Sequence, residues 1–194
     1  MIRRAALMSM ILMLLSTSSA SAATATVKMV NYGFTPKGQT VRLGNSVRWR
    51  NASTRTHTAT PSVTWSWTGV TVAAGATSGV VTPTQAGTFV YFCSMHPTLM
   101  KGSIKVPMTV SPMGGNTTTF FLLTLGTVKA PGVLVHDVYV RKNDGAWQAR
   151  VATAEPTTSI FFPSTGNWDL RTRLRYQLGG ATSGWSPITS IVVF

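Results

Sequence analysis

Three residues that bind soft metal ions lie within eight positions of one another near the middle of the chain. Cys93 is followed by His96 and Met100 in the stretch Tyr-Phe-Cys-Ser-Met-His-Pro-Thr-Leu-Met-Lys-Gly. A thiolate, an imidazole and a thioether form a soft ligand set, which suits copper and suits magnesium or calcium poorly. A trigonal copper site also needs a second imidazole, and His57 is the one other histidine in this half of the chain. The residue types and their spacing therefore indicate a copper site.

Short β-strands are the elements that must position these side chains. The first half has brief β-branched and aromatic runs separated by turn residues, at positions 26–30, 40–43, 46–50, 88–93 and 103–110. One predicted strand ends at Cys93, and a tight loop that contains His96 and Met100 follows it. The next predicted strand begins after Gly102. His57 follows the run at 46–50, and in a sandwich it can reach the same end of the fold as the cysteine loop.

The same residues carry a resemblance to a known family. The segments at 31–36 and 41–51, followed by His57 and Thr58, resemble the N-terminal strands and first copper histidine of the cupredoxins, the small blue copper proteins. The Cys-x-x-His spacing resembles plastocyanin, and His-Pro-Thr-Leu-Met-Lys-Gly is similar to the end of the azurin loop. The resemblance covers residues 24–110 and implies a Greek-key β-sandwich with one copper ion.

By this resemblance His57, Cys93 and His96 are the equatorial copper ligands and Met100 is the weak axial ligand. Met95 is the alternative thioether, because the loop has a hybrid spacing. The family often has an acidic residue before the first histidine, and the present chain has Ser53 in that region. His136 lies among predicted strand residues of the other half, and we interpret it as structural.

The composition limits the other kinds of chemistry. The 194 residues include 17 Lys and Arg, four Asp and Glu and one cysteine, with a formal net charge of +13. A single cysteine excludes an internal disulfide and any zinc site that needs two thiolates. Four acids leave little for carboxylate catalysis or for a calcium cage. We therefore expect a one-electron carrier and not an enzyme; the alternatives are copper storage or delivery without electron transfer, and a surface-binding module with a structural copper.

Residues 1–22 have the pattern of a secretory signal peptide. Arg3 and Arg4 precede a short apolar run and a small-residue cleavage pattern that ends at Ala22. No run approaches the roughly 18 apolar residues of a membrane-spanning helix. The pattern predicts export to the periplasm, the cell surface or the medium.

The rest of the chain divides at a Pro, Gly and Asn stretch, residues 111–116, into a predicted copper domain at 23–111 and a second domain at 112–194. The second domain again shows short strands and resembles, loosely, an immunoglobulin or fibronectin type III β-sandwich. The expected fold class is thus all-β, two sandwiches in series.

Charge differs between the two predicted domains. Residues 23–111 hold eight basic residues and no acidic one, whereas all four acids lie after Pro112. A basic domain is steered towards acidic surfaces, so we expect a redox partner protein with an acidic docking surface, and an anionic cell-envelope polymer is a further candidate. No nucleic-acid recognition motif is present in the sequence, and we expect no nucleic-acid partner.

Overall fold

The computed structural model describes residues 22–63 and 67–194, where the chain forms strands, turns and loops and no α-helix. The predicted signal peptide at 1–22 lies outside this part of the chain apart from Ala22. Within the described residues, no helix has the length and apolarity needed to cross a membrane.

The first sandwich is built from two sheets, one of three strands in the order β2-β1-β4 and one of five strands in the order β3-β8-β7-β5-β6. Its strands are β1 Thr24–Val30, β2 Gly33–Thr35, β3 Gly38–Thr40, β4 Ser46–Asn51, β5 His57–Pro61, β6 Val70–Val72, β7 Gly87–Phe92 and β8 Lys101–Val106.

The second sandwich also pairs a three-stranded sheet, in the order β14-β11-β9, with a five-stranded sheet, in the order β10-β16-β15-β12-β13. Its strands are β9 Thr109–Ser111, β10 Gly114–Gly115, β11 Phe121–Thr124, β12 Leu134–Lys142, β13 Gln148–Thr153, β14 Thr157–Ile160, β15 Gly166–Tyr176 and β16 Thr189–Val193. The prediction of an all-β fold with two sandwiches is confirmed.

Alternation of side chains along the strands produces one core in each sandwich. In β4 the buried Val47 and Trp49 alternate with the exposed Arg48 and Arg50, as expected for a strand with one face on a core. The first core is dominated by aromatic rings, with Trp49 and Tyr91 fully buried at a centroid distance of 5.4 Å. A different set of buried side chains forms the second core, which includes Ala86, Met108 and Val193.

The predicted strand at 103–110 is wrong as a single element. The structure has β8 and β9 in its place, and β9 pairs with β11 of the second sandwich. Pro107 stands between them. Because proline has no N–H to donate to a ladder, it ends the first strand and lets the chain change sheets.

The two sandwiches are joined by a buried polar contact. His136 of β12 is fully buried, and its Nε2 lies 2.9 Å from Oε1 of Gln85, which precedes β7. The Gln85 amide nitrogen donates to the carbonyl of Val128 at 3.0 Å, so its oxygen faces the imidazole and accepts the Nε2 proton. Thr172 of β15 places its hydroxyl 3.3 Å from the other ring nitrogen. These hydrogen bonds support the interpretation of His136 as a structural residue.

A second contact joins the strand that carries the cysteine to the second sandwich. Thr88 of β7 and Gly184 exchange two backbone hydrogen bonds, of 2.9 and 2.8 Å. The Thr88 hydroxyl also donates to the carbonyl of Trp185 at 2.7 Å. Since Leu134 and Leu174 of the second sandwich also pack on the first core, the junction combines apolar and polar contacts.

Candidate metal centre

Two separate segments bring a thiol and two imidazoles together at one end of the first sandwich. His57 begins β5, Cys93 follows the last residue of β7, and His96 lies in the loop before β8. The Cys93 Sγ atom is 3.6 Å from Nδ1 of His57 and 3.7 Å from Nδ1 of His96. The three candidate ligand atoms all lie within 4.8 Å of one another.

Backbone hydrogen bonds shape the loop between Cys93 and Met100. The His96 N–H donates to the Cys93 carbonyl at 2.9 Å, and the Met100 N–H donates to the His96 carbonyl at 3.0 Å. The Cys93 N–H in turn donates to the Met100 carbonyl at 3.0 Å, which closes the loop at its base. The short spacing seen in the sequence is therefore a compact turn that holds its ligand side chains in place.

Met100 and Met95 lie in different surroundings. Met100 is fully buried among the residues of the first core, next in the chain to the first residue of β8. The side chain of Met95 is 47% exposed at the surface. The choice of Met100 as the thioether ligand stays a prediction, and burial beside the site is the feature that favours it.

Two residues that the sequence did not single out hold the site together. Asn51, at the end of β4, is fully buried and donates its amide to the carbonyls of Arg55 at 2.7 Å and Val72 at 2.9 Å. Its oxygen accepts the N–H of Ser53 at 3.0 Å. Asn51 therefore fixes the loop that leads into His57. An asparagine at a strand end before a Ser-rich turn was the available signal, because such side chains often bind nearby backbone groups.

Thr58 is the second such residue, and it contacts the cysteine directly. Its backbone N–H donates to Cys93 Sγ at 3.4 Å, and its hydroxyl accepts the N–H of Ser94 at 2.8 Å. Partners of this kind orient metal ligands and tune their donor strength. No spacing in the sequence reveals this contact, because the two residues are far apart in the chain.

The electrostatics of His57 favour the neutral ring that a metal requires. Burial is the main cause that lowers the pKa of His57, and the neighbouring His96 and Arg55 act in the same direction. A neutral imidazole has a free lone pair for a metal ion, whereas imidazolium has none. His57 is buried and His96 is partly exposed, so the site opens to solvent on the His96 side.

A family model described as a cupredoxin-like domain matches residues 3–106, more than half of the chain. The chain belongs to the cupredoxin family. Cupredoxins bind one copper ion, and the donor set described above fits it, since one thiolate and two imidazoles are the ligands that such copper sites use. His57, Cys93 and His96 form the candidate copper site of this cupredoxin.

Several solved structures are similar to part of the chain. A reduced amicyanin variant is 23% identical, with a TM-score of 0.39, and the match covers 45% of this chain and 85% of that one. The Cu(I) form of another amicyanin variant is 20% identical, with a TM-score of 0.40 and coverage of 46% and 87%. A purple cupredoxin from Nitrosopumilus maritimus is 18% identical, with a TM-score of 0.37 and coverage of 43% and 99%. No curated protein matches the chain.

Proposed function

We propose that this cupredoxin is an exported type 1 copper protein that carries single electrons. The observation that carries the proposal is the convergence of the Cys93, His57 and His96 ligand atoms within 4.8 Å, on a buried, hydrogen-bonded framework. In this proposal His57, Cys93 and His96 are the equatorial ligands, and Met100 is the axial ligand. Bound copper supplies a one-electron couple, Cu(I) and Cu(II), at a site of nearly constant geometry.

The protein contributes rigidity around that site. Asn51 holds the loop before His57, and the Thr58 N–H holds the cysteine sulfur, so the ligand positions are set by hydrogen bonds of the chain itself. Ligands held in this way need little rearrangement when the charge at the site changes. We further propose that the protein is not an enzyme, because ligands from the chain leave no open position for substrate.

The surface beside His96 supports contact with a redox partner protein. The partly exposed His96 ring lies 4.8 Å from the ring of Tyr32, and Tyr32, Met95 and Leu99 are exposed around it. Positions 23–111 hold eight basic residues and no acidic residue. An acidic partner surface complements this charge and speeds encounter.

We propose that residues 1–22 are removed on export, that the copper domain begins at 23 and that a fibronectin type III-like domain follows it. The boundary expected at residues 111 and 112 moves back to Pro107, because β9 Thr109–Ser111 pairs with β11 of the second sandwich. Mass spectrometry of the protein released by its native host tests the first part. A mature chain that begins near Ala23 is expected, and a chain that retains Met1 contradicts export by cleavage.

Copper loading with a visible spectrum tests the site. The protein loaded with Cu(II) is expected to show an intense visible band from thiolate-to-copper charge transfer and a reversible one-electron potential. Cys93→Ala removes the thiolate and should abolish the band. Met100→Leu should shift the potential, whereas Met95→Leu, the matched control at the exposed methionine, should not.

Each other outcome contradicts a defined part of the proposal. Copper binding without the visible band refutes the type 1 site. A visible band without reversible electron exchange refutes the carrier and favours copper storage. An equal effect of the two methionine variants refutes Met100 as the ligand.

A further inference from the structure

One face of the second sandwich carries arginines and aromatic rings in register. Tyr139 of β12 lies opposite Arg171 of β15, and Asp137 lies opposite Arg173 in the same antiparallel pair. Positions two apart on a strand share a face. The arginines that alternate along β15 therefore lie together on one face of the five-stranded sheet.

The rings and guanidinium groups on this face stack alternately. Arg141 lies 4.9 Å from the ring of Trp147, and Arg171 lies 4.0 Å from the same ring. Arg171 also lies 4.3 Å from the ring of Trp185, which Arg173 approaches at 4.5 Å. We call these five side chains the Arg–Trp ladder. Cation–π contacts at these distances hold the guanidinium planes in fixed orientations.

Acidic residues neutralise part of this face. Asp137 accepts two hydrogen bonds from Arg175, at 2.8 and 2.9 Å, and one from Arg173 at 3.4 Å. Asp169 forms an ion pair of 2.8 Å with Arg141. Each of these carboxylates binds an arginine that already lies on the edge of the ladder.

Arg171, at the centre of the ladder, has no carboxylate partner among the described residues. Its Nε atom is buried without a hydrogen-bond acceptor. Burial lowers the pKa of Arg171, and the positive charges of Arg141 and Arg173 lower it further. An anion at the outer nitrogens of this guanidinium would relieve the repulsion among three cations.

A shallow groove of about 350 Å³ adjoins the ladder on the β13 side. Its lining includes Ala149, Ala152, Tyr139, Arg150 and Arg173, and also Asp137, which is paired with Arg173 and Arg175. One Arg150 nitrogen donates to the carbonyl of Phe161 at 2.7 Å, in an exposed hydrogen bond. Its size lies within the range of small-molecule sites. The groove thus combines small side chains, one aromatic ring, several guanidinium groups and one carboxylate that is already paired.

We propose that this face binds an acidic polysaccharide, with carboxylates of its sugar units on Arg171 and Arg150 and a sugar ring against Tyr139. A guanidinium fork pairs with a carboxylate through two parallel hydrogen bonds. An acidic protein segment fits less well, because tight protein interfaces are built around deep apolar pockets for anchor residues, and this groove is shallow and bordered by charge.

Affinity measurements with defined polymers test the proposal on the full chain. Polygalacturonate is the probe, neutral dextran is the uncharged comparison, and poly-glutamate represents an acidic protein segment. The double variant R150Q/R171Q is expected to bind polygalacturonate at least about tenfold more weakly, since it removes two charge-assisted contacts. The matched double variant R42Q/R48Q removes the same charge from exposed positions of the first sandwich and should change affinity less than about twofold.

Two single variants distinguish weaker binding from loss of folding. Arg150 is exposed, so R150Q should keep the wild-type unfolding midpoint and still weaken binding. R171K keeps the charge but loses the planar fork, and it should bind between wild type and the double variant. Absence of binding by the wild-type chain, equal losses in both double variants, or tighter binding of poly-glutamate than of polygalacturonate would each overturn the proposal. Equal binding of dextran would overturn the role of the arginines.

Discussion

The buried histidine between the two sandwiches makes stability depend on pH. His136 is fully buried, its Nε2 proton is donated to Gln85, and its Nδ1 faces the Thr172 hydroxyl. Burial lowers the pKa of His136 from 6.5 to about 4, and the nearby Asp137 opposes this shift. The native protein therefore holds this ring neutral over a range in which an unfolded chain protonates it.

The size of the effect follows from the shift in pKa. A difference of about 2.5 pKa units, at about 1.36 kcal/mol per unit, corresponds to about 3 kcal/mol. Because the folded pKa is the lower one, the unfolded state binds more protons between the two values. The stability that the neutral His136 ring contributes is therefore fully present above about pH 6.5, and it is lost as the pH falls towards about 4.

Urea unfolding of the metal-free protein at several pH values measures this decrease. His136→Gln keeps a hydrogen-bonding group but cannot titrate, and His57 and His96 are common to both proteins, so the difference between the two curves isolates His136. The advantage of wild type over the variant is expected to shrink by about 3 kcal/mol between pH 7 and pH 4. A difference that stays constant over this range, or an NMR titration that places the His136 pKa near 6.5, would refute the reasoning.

Three further substitutions test other contacts. At Gly102 an added Cβ would lie 2.5 Å from the buried ring of Tyr91. Gly102→Ala should therefore destabilise the protein by about 1–3 kcal/mol in urea unfolding. Unchanged stability would show that the ring moves freely. Asn51→Ala leaves two backbone carbonyls without their donor and should cost about 1–3 kcal/mol, with weaker copper binding in a competition titration; normal affinity would mean that the loop needs no such support. Leu123→Ala in the second core should cost about 2–5 kcal/mol, whereas Leu122→Ala on the same strand, 45% exposed, should cost less than about 0.5 kcal/mol; equal costs would contradict the packing described.

The candidate copper site could be predicted largely because much of it is local. Cys93, His96 and Met100 lie in one loop whose spacing limits where their side chains can point. His57 joined the prediction as the other histidine of the same half and through the family resemblance. Thr58 could not be found in this way, because its contact with Cys93 depends on how β5 and β7 pack together. The local contacts of Asn51 with Ser53 and Arg55 were open to prediction, but its bond to Val72 depends on the position of β6.

The arrangement of the strands shows the same limit. The sequence Asn-Asp-Gly at 143–145 is typical of a hairpin turn, and Asn143 and Asp144 have the positive φ angles, 46° and 61°, that such a turn requires. The passage of the chain from β8 to β9 was not, because both sides of Pro107 have strand-like sequences and the pairing partners lie far along the chain. The contact between Gln85 and His136 is likewise set by tertiary packing over 51 positions.

Strand β7 connects the metal site and the second sandwich at opposite ends. Thr88 makes its backbone bridge to Gly184 near the start of the strand, and Cys93 follows the other end. Cys93 lies five positions after Thr88, roughly 16 Å along the extended chain. If the second sandwich binds a polysaccharide matrix, as proposed above, the His96 side of the molecule stays free to contact a redox partner. The polysaccharide and the redox partner can then be bound at the same time. Retention on the matrix also raises the local concentration of the electron carrier.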